Sequence, residues 1–307
     1  MDEESVLFGI RNMFALGNYQ SLINQVSSSQ VIQSPEGKIE AKTYMYRSYI
    51  AQGKYNLVLS DISDNDDTLD AGLRAVYLLA LFLQQQSTQQ PTDDILQRAQ
   101  QLFEQGSNRV HTVVQVIIGT LFARAGKYDD ALQVIHVRTK KLECSALAVQ
   151  IYLQMDRLDL ARNEVNHAKS WAEDALLLQL MEACVDLRVG GEKYQEAFYI
   201  FEEFAQSNTS QTIQILNGQA AANLAMGRYP EAESLLLEAL NKNNNDPDTL
   251  VNMIVCSNLL AKQGEVTTRY ISQLREVAPH HPFLEDLDLK SSLFDRSASR
   301  FNAVDLI

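Results

Sequence analysis

The sequence predicts an all-α fold in which helical hairpins stack into a solenoid of about eight units. The first observation is a helix-ending turn that recurs along the chain. Its five clear copies are Gly17-Asn18-Tyr19, Gly53-Lys54-Tyr55, Gly126-Lys127-Tyr128, Glu192-Lys193-Tyr194 and Gly227-Arg228-Tyr229. The second is composition, because only 6 prolines and 13 glycines occur in 307 residues, which leaves most of the chain free to be helical.

The third observation is the spacing of these turns. Measured on the third residue of each turn, with Leu158 and Val266 in two weaker copies, the steps are 36, 73, 30, 36, 35 and 37 residues. The long step covers about two periods, so one unit has drifted beyond recognition. The period lies close to that of the tetratricopeptide repeat, in which each unit is a pair of helices, A and B.

The clearest unit shows why the sequence should form such a pair. Residues 216–224 predict helix A, and Gly227 can adopt the left-handed conformation that ends it. Pro230 suits the first turn of helix B, where a missing N–H is harmless. Ala232 and Leu236 then supply the small and large residues of the repeat pattern. The same pair recurs as Ala131 and Ile135, Ala161 and Val165, and Ala197 and Phe201.

The drifted unit is bounded by two polar runs. Residues 61–70 and the glutamine-rich residues 84–90 predict links, and residues 71–83 predict one helix between them. Pro91 and the acidic pair after it open the next helix. The drifted unit therefore occupies about 71–105.

The end of the chain predicts a cap. After a proline-flanked link, residues 283–294 predict a terminal helix, and the tail from Arg296 is expected to fray. No composition shift indicates a second domain. We therefore expect one solenoid domain over 1–307, with the capping helix and tail in 283–307.

Charge and apolar patterning bound the possible partners. Asp and Glu outnumber Lys and Arg by 39 to 26, and a net charge of −13 repels nucleic acid and anionic membrane surfaces. The longest apolar run, 76–83, is too short for a membrane span. The start, Met1-Asp2-Glu3-Glu4, is acidic where a secretory signal would be basic. These features predict a cytoplasmic protein.

The sequence predicts no enzyme, no cofactor and no metal site. His280 and His281 are adjacent but lack a third ligand at usable spacing. Cys144, Cys184 and Cys256 lie far apart in the sequence, so we expect reduced thiols. All three fall on predicted A helices, where a small buried thiol acts as a packing residue. No clustered acid, base and nucleophile set is present.

Several stretches have a distinctive sequence. The longest are Gly-Gly-Glu-Lys-Tyr-Gln-Glu-Ala-Phe-Tyr-Ile-Phe-Glu-Glu (190–203), Leu-Asn-Gly-Gln-Ala-Ala-Ala (216–222) and Val-Thr-Thr-Arg-Tyr-Ile-Ser-Gln-Leu (266–274), with further ones at 46–52, 142–144 and 155–162. Together they resemble the epsilon subunit of coatomer over nearly the full chain, least between about 60 and 105.

This resemblance implies a function that the periodicity and charge of the sequence do not predict by themselves. The family is a tetratricopeptide-like solenoid without catalysis that binds the C-terminal domain of the coatomer alpha subunit, and other coatomer subunits through it. Coatomer coats vesicles within the Golgi and back to the endoplasmic reticulum. The resemblance thus implies a cytoplasmic adaptor subunit, peripheral on Golgi membranes and coated vesicles.

A second hypothesis, from the repeat pattern alone, is a co-chaperone-type scaffold that binds short peptide motifs. It would need a clamp of Lys and Arg on adjacent A helices. The helix A positions expected to face the groove are Arg11, Phe14, Arg47, Ile50, Thr120, Gln150, Asn217, Leu224 and Asn258. Two arginines among apolar and amide side chains make a poor carboxylate clamp and a suitable surface for a folded partner. We predict these nine as the partner-binding residues.

Overall fold

The protein is described by a computed structural model that covers residues 2–62, 69–105, 108–109, 111–136, 140–206 and 211–301. Across these residues the chain forms 17 α-helices joined by short turns. Their bounds are α1 Glu3–Ala15, α2 Tyr19–Ser28, α3 Pro35–Ala51, α4 Tyr55–Asp61, α5 Ala71–Ser87, α6 Asp93–Glu104, α7 Thr112–Arg124, α8 Tyr128–Ile135, α9 Leu142–Gln154, α10 Leu158–Ala172, α11 Leu176–Val189, α12 Lys193–Gln206, α13 Ile213–Ala225, α14 Tyr229–Lys242, α15 Pro247–Leu259, α16 Gly264–Val277 and α17 Pro282–Ala298. The predicted all-α class is confirmed.

Consecutive helices pack as hairpins, and neighbouring hairpins contact each other through their A helices. Thus α1 packs on α2, α7 on α8, α9 on α10, α13 on α14 and α15 on α16. The A helices also contact one another in series, as α1 with α3, α5 with α7, α7 with α9 and α13 with α15. In these hairpins the odd-numbered helices therefore form one layer and the even-numbered helices the other, which is the predicted helical-hairpin solenoid.

The recurring glycine turn is a helix C-cap with a left-handed residue. Gly17, Gly53, Gly126 and Gly227 have φ between 72° and 78°. The N–H of the residue after each glycine donates to the carbonyl five residues before it, as from Lys54 to Tyr49 at 2.9 Å. This Schellman geometry requires a positive φ, which glycine adopts without cost.

The weaker copies form the same turn without glycine. Asp156, Ala261 and Gln89 have φ of 58°, 52° and 55°, and the next N–H again reaches back five residues, as from Gln90 to Gln85 at 2.9 Å. Gln89 lies between α5 and α6, so the drifted unit has kept the turn geometry. It has lost only the residues that made the turn recognisable.

The small residues of the repeat lie where two helices cross. Ala131, Ala161, Ala197 and Ala232 are all fully buried. A Cβ atom at Gly218 of α13 would lie 2.6 Å from the ring of Phe201, so only glycine fits against that ring. Small residues thus set the close approach of helices A and B that the pattern predicted.

Two predicted helix ends were wrong. Helix α5 continues to Ser87, so residues 84–87 are helical and the glutamine-rich link is shorter than expected. Helix α17 runs to Ala298, beyond the predicted 283–294, and includes Arg296, where fraying was expected. In both places the extra residues are mostly polar but include no helix breaker, so polar composition alone gave the wrong end. Of the link predicted at 61–70, residues 63–68 lie outside the described residues.

The chain divides into two compact units, Met1–Ile200 and Phe201–Ile307. The core of unit 1 includes Tyr46, Phe82, Ile118 and Ile151, whereas that of unit 2 includes Leu236. The single domain expected over 1–307 stays a prediction. No helix among the described residues combines the length and apolar character needed to cross a bilayer.

Candidate partner-binding site

Unit 1 curls until its first and last A helices meet. Helix α1 contacts α11, although four A helices lie between them in the chain. The A helices α1, α3, α5, α7, α9 and α11 therefore form a continuous inner wall. Any residue on this wall can approach others that are far away in sequence.

A cluster of four side chains bridges the wall between α1, α3 and α9. The Arg47 guanidinium lies 4.3 Å from the ring centre of Phe14 and 5.0 Å from that of Tyr44. It also forms an ion pair with Glu143, with Nη1 3.3 Å from Oε2, and the Tyr44 hydroxyl donates to the same carboxylate. We call Phe14, Tyr44, Arg47 and Glu143 the Arg47 cluster.

The Arg47 cluster is largely shielded from water. Only 13% of the Arg47 side chain and 24% of the Glu143 side chain are exposed. Burial opposes the charge of Arg47, but Glu143 and Tyr44 together outweigh it and raise the pKa of the guanidinium. Burial, together with the charge of Glu143, raises the pKa of the Tyr44 hydroxyl. The tyrosine therefore stays neutral and donates its proton to the carboxylate across the physiological range.

Arg11 extends this charged surface along α1. Its Nε and Nη2 donate to the two carboxylate oxygens of Glu40 at 2.6 and 3.1 Å, and its Nη1 donates to Glu4 at 2.9 Å. The hydrogen bond that Arg11 donates to Glu40 raises the pKa of the guanidinium. Both arginines thus bind carboxylates of the chain itself, which weighs against a clamp for a free peptide carboxylate.

The other predicted positions of unit 1 differ in exposure. The prediction that Ile50 faces the groove was wrong, because its side chain is buried in the core of unit 1. Thr120 on α7 is partly buried, and its hydroxyl donates to the Val116 carbonyl at 2.7 Å. Gln150 on α9 is exposed. The structure therefore brings Arg11, Phe14 and Arg47 together, and it leaves Gln150 available on the same wall.

The predicted positions of unit 2 differ in their surroundings, and Asn217 joins α13 to α15 through polar side chains. The Asn217 amide donates to the Thr249 hydroxyl at 2.8 Å and accepts from Asn252 at 3.0 Å. Leu224 packs against the core of unit 2. Asn258 is exposed, and it accepts a hydrogen bond from Thr267 at 3.1 Å.

Sequence reasoning missed Tyr44 and Glu143. They stand 99 residues apart, and only the curl of unit 1 places them together. The one available signal was that Arg47 and Glu143 both fall in stretches of distinctive sequence, 46–52 and 142–144. That signal marked the residues but could not pair them.

Metal-ligating side chains and thiols are the remaining candidates among the described residues. They contain no group of three or more His, Cys, Asp or Glu side chains arranged to hold a metal ion. Cys144, Cys184 and Cys256 are free thiols on A helices, as predicted. Burial raises the pKa of Cys144 to about 11, so this thiol stays protonated near neutral pH.

Comparisons with known proteins agree with this architecture. The family model described as "Coatomer epsilon subunit" matches residues 3–302. Coatomer subunit epsilon-2 of Arabidopsis thaliana is 36% identical over 291 residues, which cover 95% of each chain. Coatomer subunit epsilon of Dictyostelium discoideum is 36% identical over 97% of this chain and 99% of its own length. The Caenorhabditis elegans subunit is 35% identical over 95% and 97%.

Solved structures show the same fold at low sequence identity. A tetratricopeptide repeat protein from Parabacteroides merdae superposes with a TM-score of 0.55 over 88% of this chain and 96% of its own, at 13% identity. The structure of the APC/C hetero-tetramer Cut9-Hcn1 gives 0.56 over 80% of this chain and 48% of that one, at 14% identity. Fold and sequence point the same way: the chain belongs to the coatomer epsilon subunit family and serves as a non-enzymatic subunit of that vesicle coat.

Proposed function

We propose that this coat protein is an adaptor that binds the C-terminal domain of the coatomer alpha subunit, and other coatomer subunits through it. In that role it is cytoplasmic and peripheral on Golgi membranes and coated vesicles, which it reaches only through the coat. The alpha subunit enters the proposal from the sequence resemblance. The binding surface we assign to it is the inner wall of unit 1, which carries Arg11, Phe14, Arg47, Thr120 and Gln150.

The Arg47 cluster is the observation that supports this surface most strongly. Arginine and aromatic side chains are enriched in the centres of protein interfaces. Phe14 is partly exposed, and 38% of the Arg11 side chain faces solvent. The inner wall of unit 1 therefore presents an aromatic ring next to a guanidinium that is already held in place, so binding would cost little side-chain entropy.

Alanine substitution of Arg47 would be a poor test, because Arg47 also joins α3 to α9. A better test introduces a larger, charged side chain at an exposed position of the inner wall whose own side chain does not pack in the core. We choose Gln150→Arg on α9. The matched control is Asn166→Arg, an exposed amide on the B helix α10 of the same unit. Asn258→Arg makes the same change on α15 of unit 2.

The experiment is calorimetric titration of each full-length variant with the C-terminal domain of the alpha subunit, with circular dichroism as the folding check. We expect Gln150→Arg to weaken binding by about tenfold or more, which corresponds to roughly 1.4 kcal/mol. Asn166→Arg should bind like the parent. Loss of affinity in Asn258→Arg would extend the site to the slots of unit 2. Equal binding by Gln150→Arg and Asn166→Arg would remove the inner wall of unit 1 from the proposal.

A further inference from the structure

A second site lies in unit 1, in a cleft between α8, α9 and α10. The cleft has a volume of about 390 Å³, which is in the range of small-ligand sites. Cys144 and Ala148 of α9 line it, whereas their neighbour Glu143 belongs to the Arg47 cluster. The cleft is therefore separate from the surface proposed for the alpha subunit. Trp171 of α10 forms part of its wall, and we call it the Trp171 cleft.

The wall of the Trp171 cleft holds a hydrogen-bond donor without an acceptor. The Nε1 atom of Trp171 is buried and has no hydrogen-bond partner among the described residues. Buried polar groups in proteins are almost always paired. The indole N–H can only donate, so a molecule that completes this site must present an acceptor.

A lysine at the rim of the cleft can pair with an anionic acceptor. Lys140 is exposed at its rim and forms no ion pair with a described residue. His136 and His167 also line the cleft, and Glu164 is its one acidic residue in the described part of the chain. Lys140 therefore offers a carboxylate a partner of opposite charge in the same cleft as the indole N–H.

We propose that the Trp171 cleft binds an acidic peptide segment of a partner protein, with a carboxylate accepting from Trp171 and paired with Lys140. The indole ring offers an apolar surface for a neighbouring aliphatic side chain of that segment. A phosphate group is disfavoured, because Glu164 would repel its two charges and no arginine among the described lining residues would balance them.

The single tryptophan of the chain makes this proposal directly testable. Its emission reports on the cleft when full-length protein is titrated with acetyl-Leu-Glu-Glu-Leu-Glu-Glu-amide at low salt. The comparison peptide replaces every glutamate by glutamine, and a third titration uses inorganic phosphate. We expect a saturable change with the acidic peptide at a Kd below about 1 mM, and at least tenfold weaker binding of the glutamine peptide.

Variants distinguish binding of the acidic peptide in the Trp171 cleft from nonspecific electrostatic attraction to lysines elsewhere on the protein. Lys140→Glu should weaken the acidic peptide by about tenfold or more, and Lys127→Glu, the same change at an exposed lysine that does not line the cleft, should leave binding unchanged. Trp171→Phe, followed by calorimetry, should lose most of the binding and keep its helical content. Equal response to both peptides, saturation by phosphate alone, or equal effects of the two lysine variants would overturn the proposal.

Discussion

The first helix of unit 1 and the last helix of unit 2 use their apolar side chains differently. Helix α1 buries Val6, Leu7 and Ile10 against α2 and α3. Its Glu3 carboxylate also accepts from the backbone N–H groups of residues 33 and 34, just before α3. Helix α17 buries Leu284 alone among its described residues, and Leu289, Leu293 and Phe294 are exposed, the last by 72%.

This difference shows that the two ends of a repeat array need not be capped in the same way. Each repeat is stabilised by its neighbours, so a terminal helix lacks one source of burial. Unit 1 compensates because its curl brings α11 and the Arg47 cluster to α1. Helix α17 has local contacts such as the ion pair from Arg275 to Asp288, which is exposed and therefore weak. We expect α1 to unfold with unit 1 and α17 to open by itself.

The largest effect should come from Ile10→Ala. Ile10 is fully buried between α1 and its neighbours, and such truncations leave a cavity that costs about 2–5 kcal/mol. The free energy of unfolding of unit 1 should fall by about 3 kcal/mol, as measured by urea denaturation. Hydrogen exchange should then accelerate in α3 and α11 as well as in α1. Acceleration confined to α1 would show that α1 frays independently, as expected only of α17.

The second effect tests the Arg47 cluster by Glu143→Ala. Removing one partner of a buried ion pair strands the other charge, which costs about 3–5 kcal/mol when both are fully buried. Because Glu143 is 24% exposed, we expect roughly 2 kcal/mol, measured in the same denaturation assay.

The control for Glu143→Ala is Glu238→Ala, which removes an exposed glutamate partner of Lys242 and should cost less than about 0.5 kcal/mol. The double variant Arg47→Met with Glu143→Leu should recover much of the loss, because no charge is left stranded. If Glu143→Ala were as mild as the control, the cluster would not hold unit 1 closed.

The sequence could predict the features that depend on residues close together in the chain. The hairpins follow from local signals, since a glycine C-cap such as Gly227 and a small residue such as Ala232 act within one unit. The drifted unit was placed correctly at 71–105 because its two helices are bounded by turn-forming residues. Its C-cap at Gln89 went unnoticed, since a left-handed glutamine has no sequence signature.

The Arg47 cluster lay beyond sequence reasoning for a physical reason. Arg47 and Phe14 were predicted to share a groove, and their placement on neighbouring A helices follows from the repeat. The pairing with Glu143 depends on the curvature that accumulates over α3, α5, α7 and α9, and no local residue pattern encodes that sum. Their use in partner binding stays a prediction, as does that of the other groove positions.

A smaller effect is expected from Leu284→Ala. Leu284 is the one buried side chain of α17 among the described residues, so its loss should release that helix from unit 2. The measurable cost is limited to the free energy that holds α17 in place, about 1–2 kcal/mol, and not the full cost of a core cavity. Hydrogen exchange should accelerate in α17 while α13 and α15 stay protected. Loss of protection across α13 would show that the helix supports the whole unit.

The smallest effect on stability should come from Phe294→Ser. Since 72% of the Phe294 side chain faces solvent, the free energy of unfolding should change by no more than about 0.5 kcal/mol. Leu289 and Leu293 lie within six residues of it on the same helix, so the three form an exposed apolar patch. Binding of a hydrophobic dye to the native variant should therefore be weaker than to the parent.

The control is Leu237→Ser, at an exposed leucine of α14, which should change dye binding less. A destabilisation of Phe294→Ser as large as that of Leu284→Ala would mean that α17 is held along its length, and the contrast between the two ends of the chain would be lost.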